Sequence, residues 1–121
     1  MPVRSLNSSV LKWPDRPTID SALRDWVAQL IRSRREVLRV GYFGSYARDD
    51  WGVGSDLDLV IVVNSSSQPF VRRSAEYDAT TLPVPADVLV YTEDEWRSMN
   101  AQSARPLERE IIWISALKAD G

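Results

Sequence analysis

Asp56 and Asp58 stand two residues apart at the head of an apolar run, Leu57 to Val63, and a Gly44-Ser45 pair precedes them by a ten-residue spacer. Alternate side chains of a strand project to the same face, so the two carboxylates should lie roughly 6.6 Å apart at Cα and point together. Carboxylates held that way can share hard cations. Magnesium takes one or two carboxylates plus phosphate oxygens at about 2.0–2.1 Å, and two such ions about 3.5–4 Å apart clamp the attacking and leaving oxygens of an in-line displacement. The spacing suits phosphoryl or nucleotidyl chemistry. A third acid, Asp87, opens another apolar run, Ala86 to Tyr91. An unpaired carboxylate at such a place is costly or takes up a proton, which makes a divalent ion the natural partner of all three.

Each of these residues has a plainer reading. Asp-x-Asp alone often does no more than solubilise a loop edge. At Gly44 the backbone could approach a phosphate closely, the Ser45 hydroxyl could donate to it, and a following helix would offer unpaired N–H groups; an ordinary strand-to-helix turn is the alternative. Arg48 could neutralise phosphate charge or pair with a rim carboxylate. Trp51 could stack on a base, although surface packing is the simpler reading. Arg72 and Arg73 could help hold substrate, but a solvated helix face explains them as well. Trp26, Trp96 and Trp113 fall on periodic apolar faces and are assigned to the core.

Composition narrows the chemistry further. The chain has no histidine and no cysteine, so imidazole bases, thiol nucleophiles, disulfides and the usual zinc sets are excluded. Carboxylates must carry any catalysis. A formal net charge of −2 lacks the field that drives generic nucleic-acid binding. No apolar stretch approaches the roughly 20 residues of a membrane span, and the first residues lack a signal-peptide core, so a cytoplasmic location is expected. Gly52-Val53-Gly54 precedes a strand and has no third glycine, which rejects a dinucleotide fingerprint; a P-loop Gly-Lys-Ser/Thr is absent. The acids at 49, 50, 56 and 58 do not follow calcium-loop spacing.

The elements that must position these residues can be read from periodicity. Residues 1–17 read as a lead-in arm broken by Pro14 and Pro17, and 18–121 as a single domain. Ala22/Leu23, Trp26/Val27 and Leu30/Ile31 recur at helical spacing from an N-cap at Thr18 or Asp20. Glu36 to Phe43 should be a first strand ending at Gly44, with a short helix over 45–50 and a flexible connector over 50–55. Leu57 to Val63, apolar on both faces, should be a central strand. Phe70 to Asp78 reads as a helix and Ala86 to Tyr91 as a third strand. Thr92 should cap an acid-led helix, and Ile111 to Ile114 a last short strand. The expected fold is α/β, a small mixed twisted sheet of about four strands with helices mainly on one face.

Gly44-Ser45, the ten-residue spacer, Asp56-x-Asp58 before hydrophobic strand residues and the later Asp87 together resemble a minimal nucleotidyltransferase of the DNA polymerase β superfamily, over most of the chain. The resemblance implies that Asp56 and Asp58 hold two Mg2+ ions, that Asp87 joins the ion nearest the incoming hydroxyl, and that Gly44, Ser45 and Arg48 bind the nucleotide triphosphate. Asp49 falls where relatives commonly have glycine. The implied reaction moves a nucleoside monophosphate, AMP from ATP or another NTP, to a hydroxyl with release of pyrophosphate. Minimal relatives are often paired with a small helical HEPN-family protein in toxin–antitoxin modules, where they adenylylate the partner as its antitoxin. Transfer to an aminoglycoside-like small molecule, or a catalytically silent module that binds a partner or nucleotide, are the alternatives. Self-association into a homo-oligomer stays open.

Overall fold

The first helix starts earlier than its apolar periodicity suggests. In the computed structural model, which describes residues 13–114, α1 spans Arg16–Ser33 with Asp15 as its N-cap, the carboxylate accepting from the Thr18 N–H at 3.0 Å. Pro17 sits inside the first turn instead of breaking it. A proline there loses only an N–H that the helix end leaves unpaired anyway, and its fixed φ already suits the helix. Most of the expected arm, residues 1–12, lies outside the described residues. Ile19, Leu23 and Val27 form the buried stripe of α1, as their spacing requires.

That stripe packs on a four-stranded sheet made of β1 (Val37–Phe43), β2 (Leu57–Val63), β3 (Ala86–Thr92) and β4 (Ile112–Trp113), in the order β3-β2-β1-β4. β1 runs antiparallel to β2 and to β4, whereas β2 and β3 are parallel, so the sheet is mixed as expected. β2 has a neighbour on each side and is covered above and below. Leu57, Leu59, Ile61 and Val63 join α1 in the larger core cluster, while Val60 and Val62 meet Trp96 in the smaller one. This explains a strand with no polar face after Asp58. The smaller cluster is closed by α4 (Glu93–Gln102), whose Thr92 cap and Glu95 form a reciprocal capping box. Among the described residues no helix is long and apolar enough to cross a membrane.

The expected helix over 70–78 divides into α3 (Phe70–Arg73) and one 3-10 turn, Ser74–Glu76. Arg72 is solvated as expected, but Arg73 is not. It is only 6% exposed and donates to Glu95 through two bonds of 2.6 and 3.1 Å, to the Val90 carbonyl at 3.2 Å and to the Gln68 carbonyl at 2.8 Å. A guanidinium can be buried when its fork is filled this completely. The Arg73 hydrogen bonds, then the Thr92 N–H, hold the Glu95 carboxyl down at about 2, from an ordinary 4.5.

Arg73→Ala should therefore lower the unfolding free energy by about 2–3 kcal/mol. That is less than the ~3–5 of a fully buried pair, because the Glu95 side chain stays 43% exposed. A folded-state pKa below the unfolded one means that the contribution is complete above 4.5 and fades as pH falls toward 2. Urea denaturation of both proteins at pH 7 and pH 3 should show the gap narrow in acid; an unchanged gap would contradict the pairing.

Candidate active site

Sheet register brings the chemistry together. Phe43, the last residue of β1, lies opposite Asp58, and Asp58 lies opposite Asp87 across the parallel β2–β3 ladder. The end of β1 and the starts of β2 and β3 thus meet at one rim, where Gly44 leaves the sheet. Asp56 precedes the first ladder residue of β2 and is exposed, so the ladder does not impose on it the shared face expected from strict alternation. Among the described residues no three acids stand close enough together to enclose a cation as they are. Asp58 and Asp87 are face to face, and Asp56 adds its charge from the approach to β2.

Partial burial, then the negative charges of Asp87 and Asp56, push the Asp58 carboxyl above its usual range, with Arg48 opposing weakly. Asp58 and Asp87, with the charge of Asp56 nearby and too little positive charge among them, are hard oxygen donors of the kind magnesium takes, and its charge would relieve their repulsion. Gly44 has φ 78° and ψ −150°, a region essentially reserved for glycine. A Cβ built there would run into Oδ2 of Asp58. Glycine is needed twice over at this position, for its torsions and for the carboxylate that fills the space.

Ser45 begins α2, which spans only Ser45–Arg48, and the N-cap is Gly44, so no side chain caps this helix end. The amides of Ala47 and Arg48 turn back to the Gly44 carbonyl at 3.0 Å each. One turn has little dipole to offer an anion, so a phosphate here would rely on close backbone approach and the serine hydroxyl. Asp49 ends the turn in the left-handed region, φ 64°, a conformation that aspartate tolerates better than most residues. Arg48 pairs with Asp50 at 3.2 Å and Glu110 at 3.8 Å, neither of which is a rim acid.

Trp51 packs instead of standing free: its ring stacks on Tyr46 at 5.1 Å and 13°. Tyr46 is buried, and its hydroxyl donates to the Ser55 carbonyl at 3.2 Å. The connector expected to be flexible is thereby tied down just before Asp56. Sequence periodicity gives Tyr46 no role, and the one local signal for this anchor is an aromatic residue directly after Gly-Ser. Trp96 is fully buried, and Trp26 and Trp113 pack at the margins of the two clusters.

A cleft of about 940 Å3 opens at the rim, lined by Asp58 and Asp87 together with Phe43, Tyr77, Leu82 and Val84. Between the helix expected to end at Asp78 and the strand expected from Ala86, the sequence assigns no element to residues 79–85. Their side chains become a wall only because β3 folds back beside β2.

Three comparisons bear on this geometry. A family model described as a nucleotidyltransferase domain matches residues 24–116. A crystal structure from Sulfolobus solfataricus that carries a nucleotidyltransferase designation superposes with a TM-score of 0.56 at 19% identity, covering 83% of this chain and 87% of that one; at that identity the likeness speaks for the fold. No curated protein matches the chain.

Proposed function

The chain belongs to the nucleotidyltransferase domain family, and on that premise we propose that it transfers a nucleoside monophosphate, AMP from ATP, to a hydroxyl of a partner protein. Asp56, Asp58 and Asp87 hold Mg2+, and Gly44, Ser45 and Arg48 receive the triphosphate. The observation that carries the reading is the pairing of Asp58 with Asp87 in register, with Gly44 pressed against the Asp58 carboxylate at the mouth of the cleft. Bound magnesium supplies charge compensation for the triphosphate and acidity for the acceptor hydroxyl.

The protein's own groups do the rest. The Gly44–Ser45 backbone meets the phosphate oxygens, and the Ser45 hydroxyl donates to one of them. Arg48, exposed at the rim, exchanges its loose pairs with Asp50 and Glu110 for phosphate. The acceptor oxygen attacks the α-phosphorus, the bond from that phosphorus to the α,β-bridging oxygen breaks, pyrophosphate departs, and the hydroxyl proton passes to the Asp87 carboxylate. With no histidine in the chain, a carboxylate is the available base. The partner proposed from the family resemblance is a small helical HEPN-type protein, for which this chain acts as antitoxin by adenylylation.

Incubating the protein with α-labelled ATP, Mg2+ and a HEPN-type partner encoded beside it should label the partner, and EDTA should abolish the label. Label on an aminoglycoside in place of the protein, or no magnesium-dependent ATP binding at all, would overturn the reading.

A further inference from the structure

β3 is an edge strand. Its inner side is identified by the ladder with β2 and by the Pro85 carbonyl, which accepts from the Leu57 N–H at 2.9 Å. Backbone groups alternate sides along a strand. Residues 85, 87, 89 and 91 therefore turn toward β2, while Ala86, Val88 and Val90 turn their N–H and C=O groups outward. The Val90 carbonyl agrees with this parity, since it accepts from buried Arg73 on the outer side at 3.2 Å. Arg73 closes the edge at Val90. Among the described residues nothing outside the sheet bonds to the backbone of Ala86 or Val88.

Proteins usually cover such edges or blunt them with charge. Here the uncovered stretch coincides with the site, because Ala86 to Leu89 line the cleft that also holds Asp58 and Asp87. The rest of the lining is mixed, with Leu82, Pro83 and Val84 beside Ser74, Tyr77 and Thr80. No lysine or arginine lines the cleft, so beyond the rim that would hold the magnesium and the triphosphate the phosphates of a nucleic acid would find no cation, whereas a polypeptide backbone carries no charge that needs one. A residue placed opposite Asp87 on an added strand projects to the same face of the sheet as Asp87 itself.

We propose that the acceptor hydroxyl arrives on an extended polypeptide segment that adds as a strand to β3 over Ala86–Val88, setting a serine, threonine or tyrosine side chain beside Asp87. This rests on the transfer reading above and specifies how its acceptor is held. Main-chain bonds would supply the hold and the mixed lining of the cleft the preference for neighbouring side chains. The oxygen of that side chain forms the new bond to the α-phosphorus, pyrophosphate leaves, and its proton goes to Asp87.

The test uses the full chain with α-labelled ATP and Mg2+ on a library of nine-residue peptides with a central serine, threonine or tyrosine. Peptides that become labelled are then resynthesised with one backbone nitrogen methylated at a time. Strand addition predicts losses of tenfold or more at every second position, because only alternate N–H groups face β3. Val88→Pro removes an outward N–H without touching the ladder to β2, and should reduce peptide labelling at least tenfold with the thermal melt still cooperative. Losses without two-residue periodicity, labelling of an RNA oligonucleotide in place of peptides, or magnesium-dependent ATP binding with no peptide labelled would each overturn strand docking while leaving nucleotidyl transfer standing. Absence of that ATP binding would instead remove the transfer reading itself.

Discussion

Asp58→Asn should cut nucleotidyl transfer by about 10³-fold or more, roughly 4 kcal/mol of barrier, and yet leave the metal-free protein slightly more stable than wild type. The two effects have one origin. Asp58 sits directly opposite Asp87 in the ladder, and burial together with the charges of Asp87 and Asp56 already works against its ionised form. Asparagine keeps the shape and removes the repulsion, a gain of about 0.2–1 kcal/mol for like charges placed opposite each other. It also removes the charge that a divalent ion and its triphosphate require. Transfer assayed with saturating Mg2+, beside urea denaturation in EDTA, separates the effects. A variant that stayed active, or that lost stability in EDTA, would mean that the carboxylate serves the fold and not the chemistry.

Gly44→Ala should be damaging for a different reason. The alanine would have to hold φ 78° and ψ −150°, a strain of about 1–3 kcal/mol, and its methyl would occupy the space of the Asp58 carboxylate. We expect a loss of about 2 kcal/mol in unfolding free energy and at least about a 100-fold loss of transfer, since a small misplacement of a reacting group costs that much. Gly52→Ala is the control. A Cβ at Gly52 meets nothing within 4 Å, and that substitution should stay within about 0.5 kcal/mol of wild type. Equal behaviour of the two variants would show that Gly44 has no special part in holding the rim.

The unbroken apolar run from Leu59 to Val63 points to a central strand because, past Asp58 at its rim, a strand with neighbours on both sides and cover on both faces has no place for a polar residue. The stripe of α1 and the cap at Thr92 could be read for the same kind of reason, since each depends on residues within one or two turns of each other. The misreadings share a cause as well. Pro17 reads as a breaker because sequence shows a proline but not its place in the first turn. Arg73 reads as solvated because its partners, Glu95 and the Val90 carbonyl, come from a helix and a strand distant in sequence.

From its residues alone, this chain determined a Gly-Ser turn, a central strand headed by Asp-x-Asp, a further acid opening another strand, and chemistry confined to carboxylates and the ions they attract. Only the folded sheet decided that Asp58 faces Asp87, that the Gly44 turn lies against that pair, that Tyr46 ties down the approach to Asp56, and that the edge of β3 opens into the same cleft. Periodicity and capping act between near neighbours and are written in contiguous residues. The register of a parallel pair is set by how its crossover packs, and no local stretch of sequence records that.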